Sequence, residues 1–216
     1  MNPNKPILAL AIGLALVLKV TLATAGGLES LDQFVKTVKS GRAEFSQSVT
    51  APPKDGVIAR PKISAGSFEF ARPNRFRFVY RKPFEQTIVA DGQTLWLYDV
   101  DLNQVTARQQ AQALSTTPAA LIASAADVRA LQNDFTLADA PARDGLQWVL
   151  ATPKARDGQL QSVQLGFRGL ELVALEILDS FGQRSVLTFS AFQANSPVEA
   201  SSFQFKPPAG ADLIRQ

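Results

Sequence analysis

Few side chains in this 216-residue sequence could support chemistry, because it contains neither histidine nor cysteine. Ser-His and Cys-His nucleophile pairs, an imidazole base and histidine zinc ligands are therefore excluded. Carboxylate pairs could still act as general acid and base. The aspartates, however, are scattered through turns and polar faces, where solvated turn residues are the simpler interpretation: Asp55, Asp91, Asp99, Asp101, Asp144, Asp157 and Asp179. We predict no catalytic residue, no metal site and no cofactor.

The cation with an unusual position is Arg72, within the stretch "SFEFARPNRFRFVY" that begins at Ser67. Side chains of a β-strand alternate between its two faces. Arg75 and Arg77 then fall on the polar face. Arg72 shares the apolar face with the aromatic residues Phe68, Phe70, Phe76, Phe78 and Tyr80. A hairpin with an odd loop keeps every aromatic on one face, and we expect it to pair Arg72 with Phe76 and Phe70 with Phe78.

Two interpretations of Arg72 remain open at this point. The side chain could extend outward at the strand end, with its stem covering apolar surface. Alternatively, its five N–H donors could bind backbone carbonyls of a helical segment and act as a latch. The four phenylalanines are equally open to two interpretations, an ordinary core or the lining of a cavity.

The rest of the chain predicts a mainly β fold. Leu28, Leu31, Val35 and Val38 recur at helical spacing, which indicates a helix from about Leu28 to Lys39. Short strands separated by turn signals follow, about eleven in all, with the last in "FQFKPP". The segment "RQQAQALSTTPAALIASAADVRALQN" interrupts them and favours two short helices, with Thr117-Pro118 as a helix start. Leu114, Leu121 and Ile122 would form its small apolar face.

A long antiparallel sheet with one apolar face must cover that face or close on itself. About three short helices are too few to form a full layer. We therefore predict one domain, an unclosed antiparallel β-barrel with short helices filling its concave side as a lid. Such an arrangement provides a cavity for an apolar ligand.

Residues 1–25 have the layout of a cleaved secretory signal peptide: Lys5, an apolar run from Ile7 to Leu18, and "ATA" before the cleavage point. The alternative is a membrane anchor helix, although the run is short and Lys19 interrupts it. Cleavage would leave a domain of residues 26–216 with 20 basic and 19 acidic residues, net charge +1. This charge does not favour nucleic-acid binding, and the missing cysteine excludes acylation of this chain.

Several stretches, in this order, resemble the LolA family of periplasmic outer-membrane lipoprotein carriers. They are "FARPNRFRF", "DGQTLWLYD", "STTPAALIA", "LATPK" and the ending "FQFKPPAGADLI". The resemblance implies an unclosed β-barrel under a helical lid, which binds acyl chains without chemistry. It also implies partners: acylated lipoproteins, an ATP-driven releasing complex in the inner membrane, and an outer-membrane receptor lipoprotein, with the carrier as a monomer.

The resemblance also assigns residues. Arg72 matches the arginine that bonds the lid in the closed state, and Phe76 matches the aromatic after that motif. Phe78 stands where some relatives have tryptophan. The lid motif matches Thr117-Pro118 through Ile122, with Ala119 and Ala120 where bulkier residues can occur.

Three other functions are compatible with parts of the pattern. A sensor or lipid-binding module of the same fold is the nearest alternative, although sensors usually carry a second domain. A receptor lipoprotein would need a cysteine. A lipid hydrolase would need a base beside its nucleophile, and the serines at 46, 48, 201 and 202 have no histidine to serve them.

Overall fold

The computed structural model describes residues 26–54, 56–57, 59–111, 127–155 and 158–216. Within these ranges, no helix has the length and apolar character needed to cross a membrane. The signal-peptide prediction for residues 1–25 lies outside the described residues and stays a prediction.

The described residues form one twelve-stranded sheet and two α-helices, so the prediction of a mainly β, unclosed barrel is confirmed. The helices are α1 (Gly27–Thr37) and α2 (Val128–Asp134). The strands are β1 (Ser40–Thr50), β2 (Lys62–Ala71), β3 (Arg75–Lys82), β4 (Gln86–Ala90), β5 (Thr94–Asp99), β6 (Gln104–Gln109), β7 (Phe135–Arg143), β8 (Leu146–Pro153), β9 (Leu160–Arg168), β10 (Glu171–Asp179), β11 (Arg184–Ala194) and β12 (Asp212–Arg215).

The sheet order is β12-β6-β5-β4-β3-β2-β1-β11-β10-β9-β8-β7. Neighbouring strands are antiparallel except β12, which pairs in parallel with β6. The two edge strands, β12 and β7, are not hydrogen-bonded to each other in this order. The sheet is therefore unclosed.

The predicted first helix is confirmed as α1, and it packs on the inner face of the sheet. Its residues Leu31, Phe34 and Val35 are fully buried in the main core. The backbone N–H of Leu28 donates to Asp139 Oδ1 on β7 at 2.8 Å, which satisfies one of the unpaired donors of the first turn. Gly27 lies so close to β8 that a Cβ there would be 2.0 Å from the Trp148 carbonyl oxygen.

The β2–β3 hairpin confirms the predicted faces and corrects the predicted pairs. Phe70 pairs with Phe76 and Phe68 pairs with Phe78, two residues away from the expected register. Arg72 therefore lies in the turn and does not pair with Phe76. The shift by two preserves which side chains share a face, because strand side chains alternate with a period of two. The loop has the expected three residues but begins one residue earlier, at Arg72, with Asn74 at a φ of 64° as its last residue.

The inner face carries the main core, which joins both halves of the sheet. Phe45, Phe68, Phe78, Phe167 and Phe189 come from five different strands and belong to one buried cluster with α1. A second, smaller cluster of Leu146, Trp148 and Ala174 lies on the outer face. The curl brings distant strands into contact around α1, as expected for helices on the concave side.

The predicted last strand at "FQFKPP" is wrong, because Phe203 ends a short 3-10 turn and residues 204–208 form no strand. Pro207 and Pro208 have no backbone N–H for a sheet ladder. Instead, the ring of Phe205 packs against Trp96 (5.4 Å between centroids) and Tyr98 (6.1 Å). The C-terminal segment thus covers the outer face of β5 before β12 joins β6.

The predicted helical insertion lies mostly outside the described residues. Its last part is described as α2, where the Asp127 side chain accepts a hydrogen bond from the Ala130 N–H at 2.9 Å. The predicted helix start at Thr117-Pro118 and the apolar residues Leu114, Leu121 and Ile122 belong to the segment that is not described.

Gly66 provides a direct test of the sheet geometry. A Cβ there would lie 2.0 Å from the Val79 carbonyl oxygen and 3.0 Å from the Phe45 ring. We expect Gly66→Ala to lower the free energy of unfolding by about 3 kcal/mol, because backbone cannot move aside cheaply. Urea denaturation would measure it. Gly158→Ala is the matched control, since its nearest contact would be at 3.9 Å. Equal stability of the two variants would contradict this packing.

Candidate functional site

The two ends of the sheet differ in character, and we name each by a residue. The Arg72 end carries the turns at 72–74, 91–93, 144–145 and 169–170. The Phe84 end carries the connections at 51–61, 83–85, 100–103 and 180–183. The inner apolar face runs between these two ends.

Arg72 joins its turn to the end of α1. Its Nε donates to the Val38 carbonyl oxygen at 2.9 Å, and its backbone N–H donates to the Lys39 carbonyl oxygen at 2.8 Å. The guanidinium carbon lies 5.3 Å from the centroid of the Phe34 ring and 5.4 Å from that of Phe70. A cation at this distance from a ring face is attracted to it, by about 0.5–2 kcal/mol depending on exposure.

Burial lowers the pKa of Arg72 to about 10, because the charged guanidinium loses part of its hydration. This value is still well above neutral pH, so the side chain stays charged. Of the two interpretations of Arg72, the structure supports a bond to a backbone carbonyl. The partner within the described residues is the carbonyl that follows α1. The predicted bond to the lid lies outside the described residues.

Gln110 ties two turns of the Arg72 end together. It is 2% exposed, although its side chain is polar. Its Nε2 donates to the Asn74 carbonyl oxygen at 2.6 Å, and its Oε1 accepts from the Gly92 N–H at 2.9 Å. Because a buried amide must be hydrogen-bonded, Gln110 holds the Arg72 turn and the next turn at a fixed separation.

Asp91 orders the turn in the motif "DGQTLW". Its Oδ1 accepts from the backbone N–H groups of Gln93 (2.8 Å) and Thr94 (2.7 Å), and its Oδ2 accepts from the Trp96 indole N–H at 2.8 Å. Partial burial raises the pKa of this carboxyl, but the bonds from Thr94, Trp96 and Gln93 outweigh it and leave the pKa below its usual value. The motif is therefore structural.

The four predicted cavity residues, Phe68, Phe70, Phe76 and Phe78, all lie in the buried core of the inner face. Their rings form a chain: Phe70 to Phe68 at 5.6 Å, Phe68 to Phe78 at 4.4 Å, and Phe78 to Phe76 at 6.1 Å between centroids. Phe34 of α1 contacts one end of this chain, with its ring centroid 6.2 Å from that of Phe70. All four are buried, so a ligand would reach them only if the elements packed on this face moved.

A cavity of about 960 Å³ opens at the Phe84 end, beside this aromatic chain. Inner-face residues form part of its wall, among them Gln47, Ser64, Tyr80, Gln86 and Asp99. Ile63, Phe84 and Leu102 form its apolar rim. The predicted cavity residues thus lie deeper than the opening.

Exposed apolar side chains concentrate at the same end. Phe84 is 69% exposed, Leu102 is 70% exposed, and Val57, Ile63, Val100 and Phe181 are also exposed there. Of the large exposed hydrophobic side chains in the described residues, Leu170 is the one at the Arg72 end. Single exposed apolar residues are ordinary, but Ile63, Phe84 and Leu102 together border the cavity, an arrangement typical of a binding surface.

The sequence did not indicate the hydrogen-bonding roles of Gln47, Gln110 and the Val38 carbonyl. One signal for Gln47 was present, because it is in phase with Phe45 in "AEFSQSV" and therefore faces inward. Gln110 gave no comparable signal, since both of its partners are backbone groups of distant turns. In the described ranges no three carboxylates gather as a metal site.

The family model and the sequence relatives agree on one family. The model of the family described as outer membrane lipoprotein carrier protein LolA matches residues 36–206. A protein named outer-membrane lipoprotein carrier protein from Albidiferax ferrireducens is 71% identical over 199 residues, covering 90% of this chain and 93% of that protein. A protein of the same name from Leptothrix cholodnii is 56% identical over 194 residues, covering 90% and 88%.

Among solved structures, an uncharacterized conserved protein from Thermus thermophilus is similar with a TM-score of 0.50 and 13% identity. The match covers 88% of this chain and 96% of that one. At this identity the likeness concerns the fold alone.

The fold and the site define a class: an unclosed antiparallel barrel with an apolar interior and an opening at one end. Within that class, the chain belongs to the LolA family of outer membrane lipoprotein carrier proteins. The resemblance inferred from the ordered motifs is therefore confirmed.

The bonds of Asp91 predict a pH dependence of stability. A carboxyl whose pKa is lowered on folding stabilises the protein above its unfolded pKa of about 3.9, and this contribution is lost as pH falls through the lower folded value. We expect Asp91→Asn to lower the free energy of unfolding at pH 7 by about 1 kcal/mol, through the lost indole bond. The difference in free energy of unfolding between Asp91→Asn and the unchanged protein should become smaller below about pH 4.

Denaturant unfolding between about pH 2.5 and 7, a range that spans the carboxyl titration, would measure this difference. Trp96→Phe removes the same bond by deleting its donor, together with some packing on Phe205, so the double variant should be little less stable than Trp96→Phe alone. A difference that is constant with pH, together with additive effects, would show that Asp91 does not act through this bond.

Proposed function

We propose that this protein is a periplasmic carrier that binds the acyl chains of lipoproteins released from the inner membrane and delivers them to an outer-membrane receptor. The family and the names of its relatives support the lipoprotein cargo. The single observation that carries the proposal is the inner face, where a continuous aromatic chain leads to a cavity that opens at one end.

The proposed activity is binding without a chemical step. Transfer of an acyl chain from water to an apolar environment is favourable by about 0.8 kcal/mol per buried methylene group. A lipoprotein with exposed chains would therefore aggregate or return to a membrane. Phenylalanine side chains provide apolar area with no polar atom that needs a partner. A carrier lined by such residues can hold chains of varied length and still release them.

Loading requires movement of α1, because its Phe34 packs against Phe70 and belongs to the same buried core as Phe68. Arg72 opposes this movement, since it binds the Val38 carbonyl directly after the helix and stacks between Phe34 and Phe70. Arg72 is therefore the proposed latch of the closed state. A stable closed state lowers the apparent affinity for cargo, because part of the binding free energy is used to open the protein. The lower affinity favours release to a receptor.

The family resemblance extends this latch to a lid. Leu114, Thr117, Pro118, Leu121 and Ile122 are the proposed lid residues, and they lie outside the described part of the chain. Phe68, Phe70, Phe76 and Phe78 are the proposed walls of the loaded cavity. The proposed partners are acylated lipoproteins, the inner-membrane ATP-driven releasing complex and the receptor lipoprotein.

Export would follow cleavage of residues 1–25, and the carrier domain would be residues 26–216, acting as a monomer. A dimer that buried the Phe84 end would block the cavity.

If Arg72 is the latch, its replacement should affect the uptake of lipoprotein and its transfer to the receptor differently. We expect Arg72→Leu to take up lipoprotein at least as well as the unchanged protein but to transfer several-fold less of it, because the closed state no longer competes with the cargo. The measurement is transfer of radiolabelled lipoprotein from the loaded carrier to membranes containing the receptor. Arg42→Leu is the control, because Arg42 donates a hydrogen bond to Gln193 on the outer face of the sheet, away from Arg72 and α1. Normal transfer by Arg72→Leu would remove the latch role.

A release assay tests the carrier function itself. Spheroplasts with newly made, outer-membrane-destined lipoprotein are incubated with and without the mature protein, Gly26 to Gln216. Soluble lipoprotein that copurifies with the protein is the expected result. If none is released while an established carrier works in the same preparation, the general carrier function is excluded, and a sensor or specialised lipid-binding role becomes the better interpretation.

A further inference from the structure

The inner face of the sheet changes from aromatic to polar along its length. Phe70 and Phe76 lie nearest the Arg72 end, and Phe68 and Phe78 form the next cross-strand pair. Over the next two cross-strand pairs, the wall of the cavity becomes polar, with Gln47, Ser64, Tyr80, Gln86 and Asp99. Polar groups inside an otherwise apolar ligand cavity commonly fix the orientation of the ligand.

Gln47 is held in place within this polar belt. The Tyr80 hydroxyl donates to Gln47 Oε1 at 2.8 Å, and Gln47 Nε2 donates to Ser185 Oγ at 2.7 Å. These bonds use the oxygen and one N–H of the amide, and a primary amide has two N–H groups. Burial raises the pKa of Tyr80 to about 12, so its hydroxyl keeps its proton at neutral pH.

We propose that Gln47 donates its second amide N–H to an acyl carbonyl at the head of the bound lipid, with Tyr80 and Ser185 as positioning residues. The inference rests on the carrier function proposed above. Every acyl chain begins at an ester or amide carbonyl, which is a hydrogen-bond acceptor.

The spacing along β1 fits this assignment. Phe45 and Gln47 are two residues apart, so Gln47 lies about 7 Å closer to the Phe84 end. Phe45 contacts the rings of Phe78 (5.5 Å) and Tyr80 (5.0 Å). A carbonyl at Gln47 would therefore place the first methylene groups against Phe45 and Phe78, with the rest of the chain directed toward Phe68.

A purely structural role for Gln47 is the competing explanation, because a buried tyrosine hydroxyl needs a partner. The two explanations differ in what the bound lipid requires. A structural Gln47 would not distinguish an ester from an ether of the same length, whereas a carbonyl-binding Gln47 would.

The test uses two synthetic lipopeptides with the processed, exported protein. One carries two ester-linked acyl chains on a glyceryl group, and the other carries two ether-linked alkyl chains of equal length. Binding is measured by displacement of a fluorescent fatty acid below the aggregation concentration of each lipopeptide. We expect the unchanged protein to bind the ester about fivefold more tightly, as for one net hydrogen bond.

Gln47→Met keeps the length of the side chain and removes its amide. We expect it to bind the ether as the unchanged protein does and to lose the preference for the ester. Gln193→Met is the matched control, because Gln193 accepts a hydrogen bond from Arg42 and lies outside the cavity lining. It should keep the fivefold preference. Tyr80→Phe should reduce the preference in part, and it provides a second variant if Gln47→Met does not fold.

Each outcome has a definite meaning. Tight binding of both lipopeptides with no preference in the unchanged protein would overturn the inference and leave the carrier function intact. A preference that survives in Gln47→Met would also overturn it. If neither lipopeptide binds to any form of the protein, the carrier function fails and the inference fails with it.

Discussion

The apolar inner face of the sheet must be kept from water and must also remain able to open, and this constraint shapes the rest of the structure. Packing α1 against it meets the first requirement, because Leu31, Phe34 and Val35 join the phenylalanines in one core. The helix is eleven residues long, and polar contacts also hold both of its ends. One such contact is the Asp139 bond at its start, and another is the Arg72 bond just after it. A few localised polar contacts can be broken without unfolding the sheet.

The two ends of the barrel meet these two requirements separately: one end holds the structure closed and the other is open. At the Arg72 end, side chains link the turns to one another: Arg72 reaches α1, and Gln110 spans two turns. At the Phe84 end, a cavity opens among exposed apolar side chains. A ligand that entered there would meet the polar belt first and the aromatic chain next, an order that matches an amphiphile with a polar head and apolar tails. Movement of α1 would then extend the cavity inward.

The sequence predicted the fold class and the face of each aromatic residue, because a period of two depends only on neighbouring residues. It did not predict the register of the β2–β3 hairpin, which depends on the positive φ of Asn74. It also placed a strand in "FQFKPP", where Phe205 instead packs on Trp96 and Tyr98. The partners of Arg72 and Gln47 were not predictable for a different reason. Val38 and Ser185 are 34 and 138 residues away, so only the folded chain shows them.

We propose that acyl chains enter at the Phe84 end, and site-directed photo-crosslinking can locate this entry. A photoreactive benzoylphenylalanine would replace either Phe84 or Leu170, which are exposed at opposite ends of the sheet. Each protein would be loaded with lipoprotein and illuminated, and the crosslinked cargo residue would be identified by mass spectrometry. Entry at the Phe84 end predicts crosslinks from position 84 to the first residues of the lipoprotein and none from position 170. Equal crosslinking from both positions, or crosslinking from position 170 alone, would contradict it.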